Sequence, residues 1–378
     1  MRKLLTVLST VAILAAAAAT AAFYWLPLPA CELGVYTEPA DFLIAPDGQY
    51  AYLSDRIAPR LLVFSLADNR LAANLPLPAA AGDMALSRDG ANAYLLSAKA
   101  DGTVFVVNTA SRKVERNIEL GGKPTGLAVS ADGSRLFTVQ SATQRLVALD
   151  SSTGKPVANT PFQCTACSMM LTADGKSLVV GQAHGIAVFD AKNLAVSMKQ
   201  ESNEQLTHFA LSPDGKTIAY SFAGHNPGVR FLDLAGGGVE TRATMGQVGE
   251  LAFSADGASV IASDVKMPLE ERGSLSFMPA HIPQEVKGAI VPSVPPDRST
   301  TFTLDKFPHA IAIDARRDRI DVVAMPDKGL PMLEVLDGAT RRMVAQMPVP
   351  DAKTRWDEFA AWRNKMLRPN ASNCRPPL

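Results

Sequence analysis

Gly122-Lys123-Pro124-Thr125-Gly126-Leu127-Ala128-Val129-Ser130-Ala131-Asp132-Gly133 is the stretch that decides the fold. It reads as a loop, a short apolar strand and a tight turn in which glycine accepts a positive φ and aspartate bonds its own backbone. Outward from it, Leu136 to Val139 makes a β-branched and aromatic second strand and Arg145 to Asp150 alternates as a third. Ser152-Thr153-Gly154 then turns into a fourth strand from Pro156. The turn recurs at Gly48, Gly90, Gly133, Gly175, Gly215 and Gly257, at intervals of 40 to 43 residues, and a degenerate seventh copy begins at Pro308. Third strands are expected at Leu62 to Leu66, Val104 to Asn108, Ile186 to Asp190, Val229 to Asp233, Leu275 to Met278 and Met332 to Asp337. A fixed period of this length with all-β content predicts a seven-bladed β-propeller of four-stranded blades.

The Lys-Pro-Thr-Gly entry, the apolar strand, the Asp-Gly turn and a third strand ending in Asp150 together resemble the YVTN-type seven-bladed β-propeller repeat family, over roughly residues 36 to 350. The resemblance implies the architecture more than an activity. Members include cell-surface proteins, periplasmic binding proteins and relatives of cytochrome-d1-type and lactonase-type propellers, and a shared fold does not transfer a function. No copy here holds the full Tyr-Val-Thr-Asn strand, the nearest being Tyr52-Leu53-Ser54 and Tyr94-Leu95-Leu96-Ser97.

At 378 residues the chain is longer than one compact core usually supports, but a propeller grows by stacking each blade on its neighbours. Lys plus Arg equals Asp plus Glu, 37 against 37, so no overall field draws it to nucleic acid. All three tryptophans (Trp25, Trp356, Trp362) lie outside the repeats, which argues against WD-type blades and tryptophan-docked quinoprotein blades.

Residues 1–30 read as a signal peptide or membrane anchor. Arg2 and Lys3 precede an uncharged apolar run from Leu4 to Leu28, long enough to cross a bilayer. Small residues at Ala19 and Ala21 suit cleavage, whereas Phe23, Tyr24 and Trp25 suit an inner-membrane anchor through residues 4–28. Lipidation at Cys31 is a third reading, weakened by Pro29. Each places residues 31–350 in the periplasm or another extracytoplasmic space, where disulfides persist. Cys164 and Cys167 form a C-x-x-C, while Cys31 and Cys374 flank the repeats and are expected to meet where the ring closes. A Pro-rich insertion is expected over 265–300. Beyond Asp351, Thr354 and Asp357 fit a capping box, and Trp356, Phe359, Ala360 and Leu367 recur at helical spacing until Pro369. The tail 351–378 is therefore expected to hold a short helix.

Aligning the repeats on Asp-Gly places Asp41, Asp83, Ser168, His208, Glu250 and Ala310 in the column of Gly126, with Cys167, Thr207 and His309 in the column of Thr125. Loops entering the innermost strands line one mouth of a propeller channel. Asp41, Asp83, His208, Glu250 and His309 are accordingly expected to bind a polar ligand there, as acceptors and a titratable donor. The C-x-x-C is expected to form a local disulfide. A redox pair needs a thiol of lowered pKa, and a metal needs further ligands such as His208 and His309, with Asp83 or Glu250.

No G-x-S-x-G, H-E-x-x-H, Walker loop or C-x-x-C-H occurs in the chain. The leading expectation is a non-enzymatic binding or scaffold protein for a protein partner or small ligand. The alternatives are a lactonase-like or divalent-metal hydrolase built on His208, His309 and the acids, and a redox or metal-handling partner built on Cys164 and Cys167.

Overall fold

The computed structural model describes residues 37–352, apart from 100, 165–166, 224–227, 244–246, 255, 266–273, 280–300, 304–306, 315–318, 326–329, 339 and 341. Residues 37–350 form one compact unit. Its strands, numbered β1 to β28 in chain order, form seven antiparallel four-stranded sheets, each from four consecutive strands.

The first sheet shows why the repeat folds this way. β1 (Pro39–Ile44), β2 (Tyr50–Asp55), β3 (Arg60–Ser65) and β4 (Arg70–Pro76) run from the inside outward. Every residue of β3 is buried, because consecutive side chains point to opposite faces and both faces are covered. Leu61 and Val63 join Leu95 and Phe105 of the second sheet. Leu62 and Phe64 join Val323 and Val335 of the seventh. The same arrangement recurs at every junction, so seven clusters separate seven sheets, including the pairings Tyr94 with Leu136 and Ile261 with Ile320. The outer strand has one free face, and β8 (Lys113–Glu119), the outer strand of the second sheet, alternates between exposed and more buried positions along its length.

The Asp-Gly turns are uniform. All six glycines have φ close to 70°. Each amide donates to the carbonyl three residues back, and the preceding aspartate accepts the amide two residues beyond it, as with Ser134 and Asp132. In five turns a Ser or Thr hydroxyl also bonds this carboxylate. The Ser130 hydroxyl, followed by the Ser134 amide and hydroxyl, holds Asp132 down to about 2.

The inner strands of the other sheets are β5 (Ala81–Leu86), β9 (Pro124–Val129), β13 (Ser168–Leu171), β17 (Gln205–Leu211), β21 (Gln247–Phe253) and β25 (Phe307–Asp314). Each packs on the next around the ring, and β25 returns to β1. At the junction of the fourth and fifth sheets β17 packs chiefly on β14 (Ser177–Gln182). Among the described residues no sheet borrows a strand from the other end of the chain. β28 (Met343–Pro348) completes the seventh sheet as its outer strand. Two buried arginines fasten the closure. Arg60 pairs with Asp55 at 2.9 Å and donates to the Pro350 carbonyl at 2.7 Å. Arg319 pairs with Asp321 and reaches the Leu66 carbonyl and Asn69 of the first sheet.

The expected insertion 265–300 is not one excursion. β23 (Ser274–Pro279) falls inside it and pairs with β22 (Ser259–Val265), and β24 (Thr301–Thr303) follows. The rest of that stretch lies outside the described residues. So do the Leu4 to Leu28 segment, Cys31, Cys374 and the expected C-terminal helix.

Candidate ligand site at the entry to the inner strands

Six of the seven inner strands carry a register shift at the point where the aligned column falls, as between Pro39 and Phe42 in β1 and between Leu206 and His208 in β17. Such bulges re-aim side chains locally. A recurring serine six residues after the turn glycine meets three of these bulges from the second strand. Ser54 accepts the Asp41 amide at 3.0 Å and donates to the Gly82 carbonyl of the next sheet at 2.7 Å. Ser263 accepts the Glu250 amide, and Ser221 lies 2.7 Å from the Thr207 hydroxyl. All three serines are buried. Their spacing is visible in the sequence, but their role depends on the bulge opposite.

The column residues reach across the junctions between sheets. Asp41 accepts the Met84 amide at 2.9 Å, linking the first sheet to the second. Asp83 accepts the Gly126 amide, linking second to third. Thr125 contacts the Cys167 sulfur at 3.5 Å, linking third to fourth. His208 pairs with Glu250 at 2.9 Å between fifth and sixth, and His309 lies 2.8 Å from the Pro39 carbonyl between seventh and first. The residues expected to face a ligand thus form a belt around the inner ring.

Burial sets the electrostatics of this belt. It pushes Asp41 up to about 7, against the Met84 amide bond, while the like charges of Asp83 and Glu250 add to the rise. Burial also raises Asp83, with Arg56 pulling in the opposite direction. His208 has committed Nε2 to Glu250, and its Nδ1 is sealed from solvent without a hydrogen-bond partner.

Cys164 and Cys167 are joined in a disulfide and are 7% and 8% exposed, packed in the apolar cluster between the third and fourth sheets. Among the described residues no group of three or more His, Cys, Asp and Glu side chains could hold a metal ion. His208 and His309, expected as metal ligands, are engaged instead with Glu250 and the Pro39 carbonyl. The cysteines are closed on each other.

The disulfide loop replaces the Lys-Pro-Thr-Gly entry of the third repeat and leaves β13 with only four residues, where the other inner strands have six to eight. Among the described residues β13 pairs with β14 from Ser168, opposite Gly181, to Leu171, opposite Leu178, whereas the pairing of β9 with β10 extends to Pro124 opposite Gln140. A cavity of about 490 Å³ opens there, lined by residues of the first five sheets. Arg56, Asp83, Thr125, Ser168, Gln182 and Thr207 give it polar walls. Asp83 alone of the five residues read as ligand-binding lines it. Arg56, which the sequence did not single out, comes from the β2 to β3 loop and carries no motif.

A family model described as outer membrane protein assembly factor BamB matches residues 100–264, less than half of the chain. The YVTN repeat that the Lys-Pro-Thr-Gly phrase resembles is not the family that matches. A chain of hydrazine synthase from Kuenenia stuttgartiensis superposes with a TM-score of 0.64 at 16% identity, covering 82% of this chain and 97% of that one. The fold is a β-propeller. At this identity the likeness carries the fold alone. No curated protein matches the chain.

Proposed function

We propose that the chain is a seven-bladed, extracytoplasmic propeller that binds a small polar ligand or a protein partner through the cavity beside β13. The observation that carries this reading is the cavity itself. Its walls mix polar and apolar side chains, its volume falls in the range of small-molecule sites, and contacts from sheet to sheet join its lining residues Asp83 to Gly126 and Thr125 to Cys167. The partial match to a family described as an outer membrane assembly factor supports a binding role outside the cytoplasm. The apolar Leu4 to Leu28 segment supports export, with cleavage and retention both compatible.

Hydrolysis has less support. A general base must reach the proton it removes, and in His208 Nδ1 is sealed from solvent while Nε2 is engaged by Glu250. A redox role has less support for a similar reason, since both sulfurs are bonded to each other and buried.

Native mass spectrometry of the mature protein, isolated from its own compartment, tests the binding reading. Ser168 is exposed and lines the cavity, so Ser168→Trp fills the space with little effect on the fold. A species bound to the wild type and missing from Ser168→Trp is expected. Bare protein in both forms would overturn it, and turnover of lactones lost in His208→Ala would put hydrolysis in its place.

A further inference from the structure

We propose that the cavity takes a small zwitterion, an amino acid or short peptide, with its carboxylate on Arg56 and its ammonium on Asp83. This rests on the binding reading above and specifies its ligand.

The cavity wall carries one basic and one acidic side chain of separate origin. Arg56 is on the β2 to β3 loop of the first sheet, and Asp83 is on β5 of the second. They do not neutralise each other by direct contact. Arg56 lies 3.6 Å from Glu38, both about half exposed, a pairing that is weak in water and readily exchanged for a ligand carboxylate. Asp83 is held by the Gly126 amide, which fixes its carboxylate without supplying a counter-charge. A guanidinium presents a planar fork that suits a carboxylate, and a carboxylate accepts the several N–H donors of an ammonium.

The rest of the wall narrows the class. A simple anion would meet Arg56 but also Asp83, with Asp41 nearby. A simple cation would gain Asp83 but meet Arg56. A molecule with both charges satisfies both. Thr125, Ser168, Gln182 and Thr207 supply hydroxyl and amide groups suited to a peptide unit. Among the described residues no aromatic side chain lines the cavity, so these offer no ring face on which a planar or sugar ring could stack.

The test is isothermal titration calorimetry on the mature chain, with alanyl-alanine as probe against its N-acetylated, its C-amidated and its doubly capped forms. The wild type is expected to bind the free dipeptide, with each cap weakening binding more than tenfold. Arg56→Gln is expected to abolish the penalty of the C-terminal amide while keeping that of the acetyl group, and Asp83→Asn the reverse. Asparagine preserves the acceptor for the Gly126 amide, and Arg56 is exposed, so both variants are expected to fold. Equal binding of free and capped peptides, or no binding of the free dipeptide at millimolar concentration, would overturn the zwitterion. The mass spectrometric comparison separates the two failures. An occupant lost in Ser168→Trp leaves the binding reading standing without the zwitterion, and bare protein in both forms removes both.

Discussion

Asp41 is an acid whose carboxyl is enclosed between two sheets, accepting the Met84 and Phe42 amides. Its proton is held up to about 7 in the folded chain, chiefly by burial, against an ordinary value of 3.8. Between those two values the unfolded chain has released the proton and the folded chain keeps it. Stability from this group is therefore present in full below about 4 and is lost as pH rises toward 7, on the order of 4 kcal/mol at most. Asp41→Asn keeps an acceptor for Met84 without the charge. Urea unfolding should find it close to wild type near pH 4 and more stable by a few kcal/mol near pH 8; a less stable variant at the higher pH would refute the account. Gly126 is a second sensitive position. Its φ is +69°, and an added Cβ would stand 2.7 Å from the Cys167 carbonyl oxygen. Gly126→Ala is expected to cost about 2 kcal/mol or more, from the left-handed backbone and the clash together, read from the shift in urea midpoint.

At the scale of elements, β13 departs most from the repeat. The second strand of its sheet, β14, is regular and buried through its middle, while the inner strand stops at Ser168 behind the disulfide. Cysteines at this spacing could be read from the sequence; the shortened strand and the cavity beside it could not. The disulfide closes a very short loop, worth about 2 kcal/mol on the chain-entropy account. The Cys164→Ala/Cys167→Ala double variant should lose about that much in equilibrium unfolding. In the native wild type neither sulfur should be reduced or alkylated until the ring unfolds, because both are buried. Rapid modification under native conditions would return the redox reading to consideration. The belt of column residues teaches a related lesson. Alignment on Asp-Gly brought Asp41, Asp83, His208, Glu250 and His309 to one level, and that level is real. The bulges then turned several of these side chains toward the neighbouring sheet rather than toward a ligand.

At the scale of the whole ring, the described strands close it without an exchange between the first and seventh sheets, which meet through packing and buried charge. Leu53, Phe64, Val323 and Val335 share one cluster there. Arg319, bonded to Asp321, donates to the Leu66 carbonyl across the same seam at 2.7 Å. Removing one member of a buried pair leaves the other charged and unsolvated. Arg319→Met should cost about 3 to 5 kcal/mol, and Arg319→Met/Asp321→Leu should recover part of it, both measured by urea unfolding. A loss below about 1 kcal/mol would mean that the seam is held by its apolar cluster alone.

The sequence by itself determined the repeat, the four strands of each unit, the turns and the buried faces. All of these depend on residues within one unit of about forty, through turn chemistry and two-residue alternation. It also brought the column residues to one level, because equal spacing puts equivalent positions at equivalent heights. Only the tertiary structure decided which of them bond to the next sheet, which line the cavity, and that Arg56 belongs with Asp83. Those outcomes depend on the bulge register, the early end of β13 and contacts between separate repeats. The pattern within a repeat does not specify how far one sheet stands from the next.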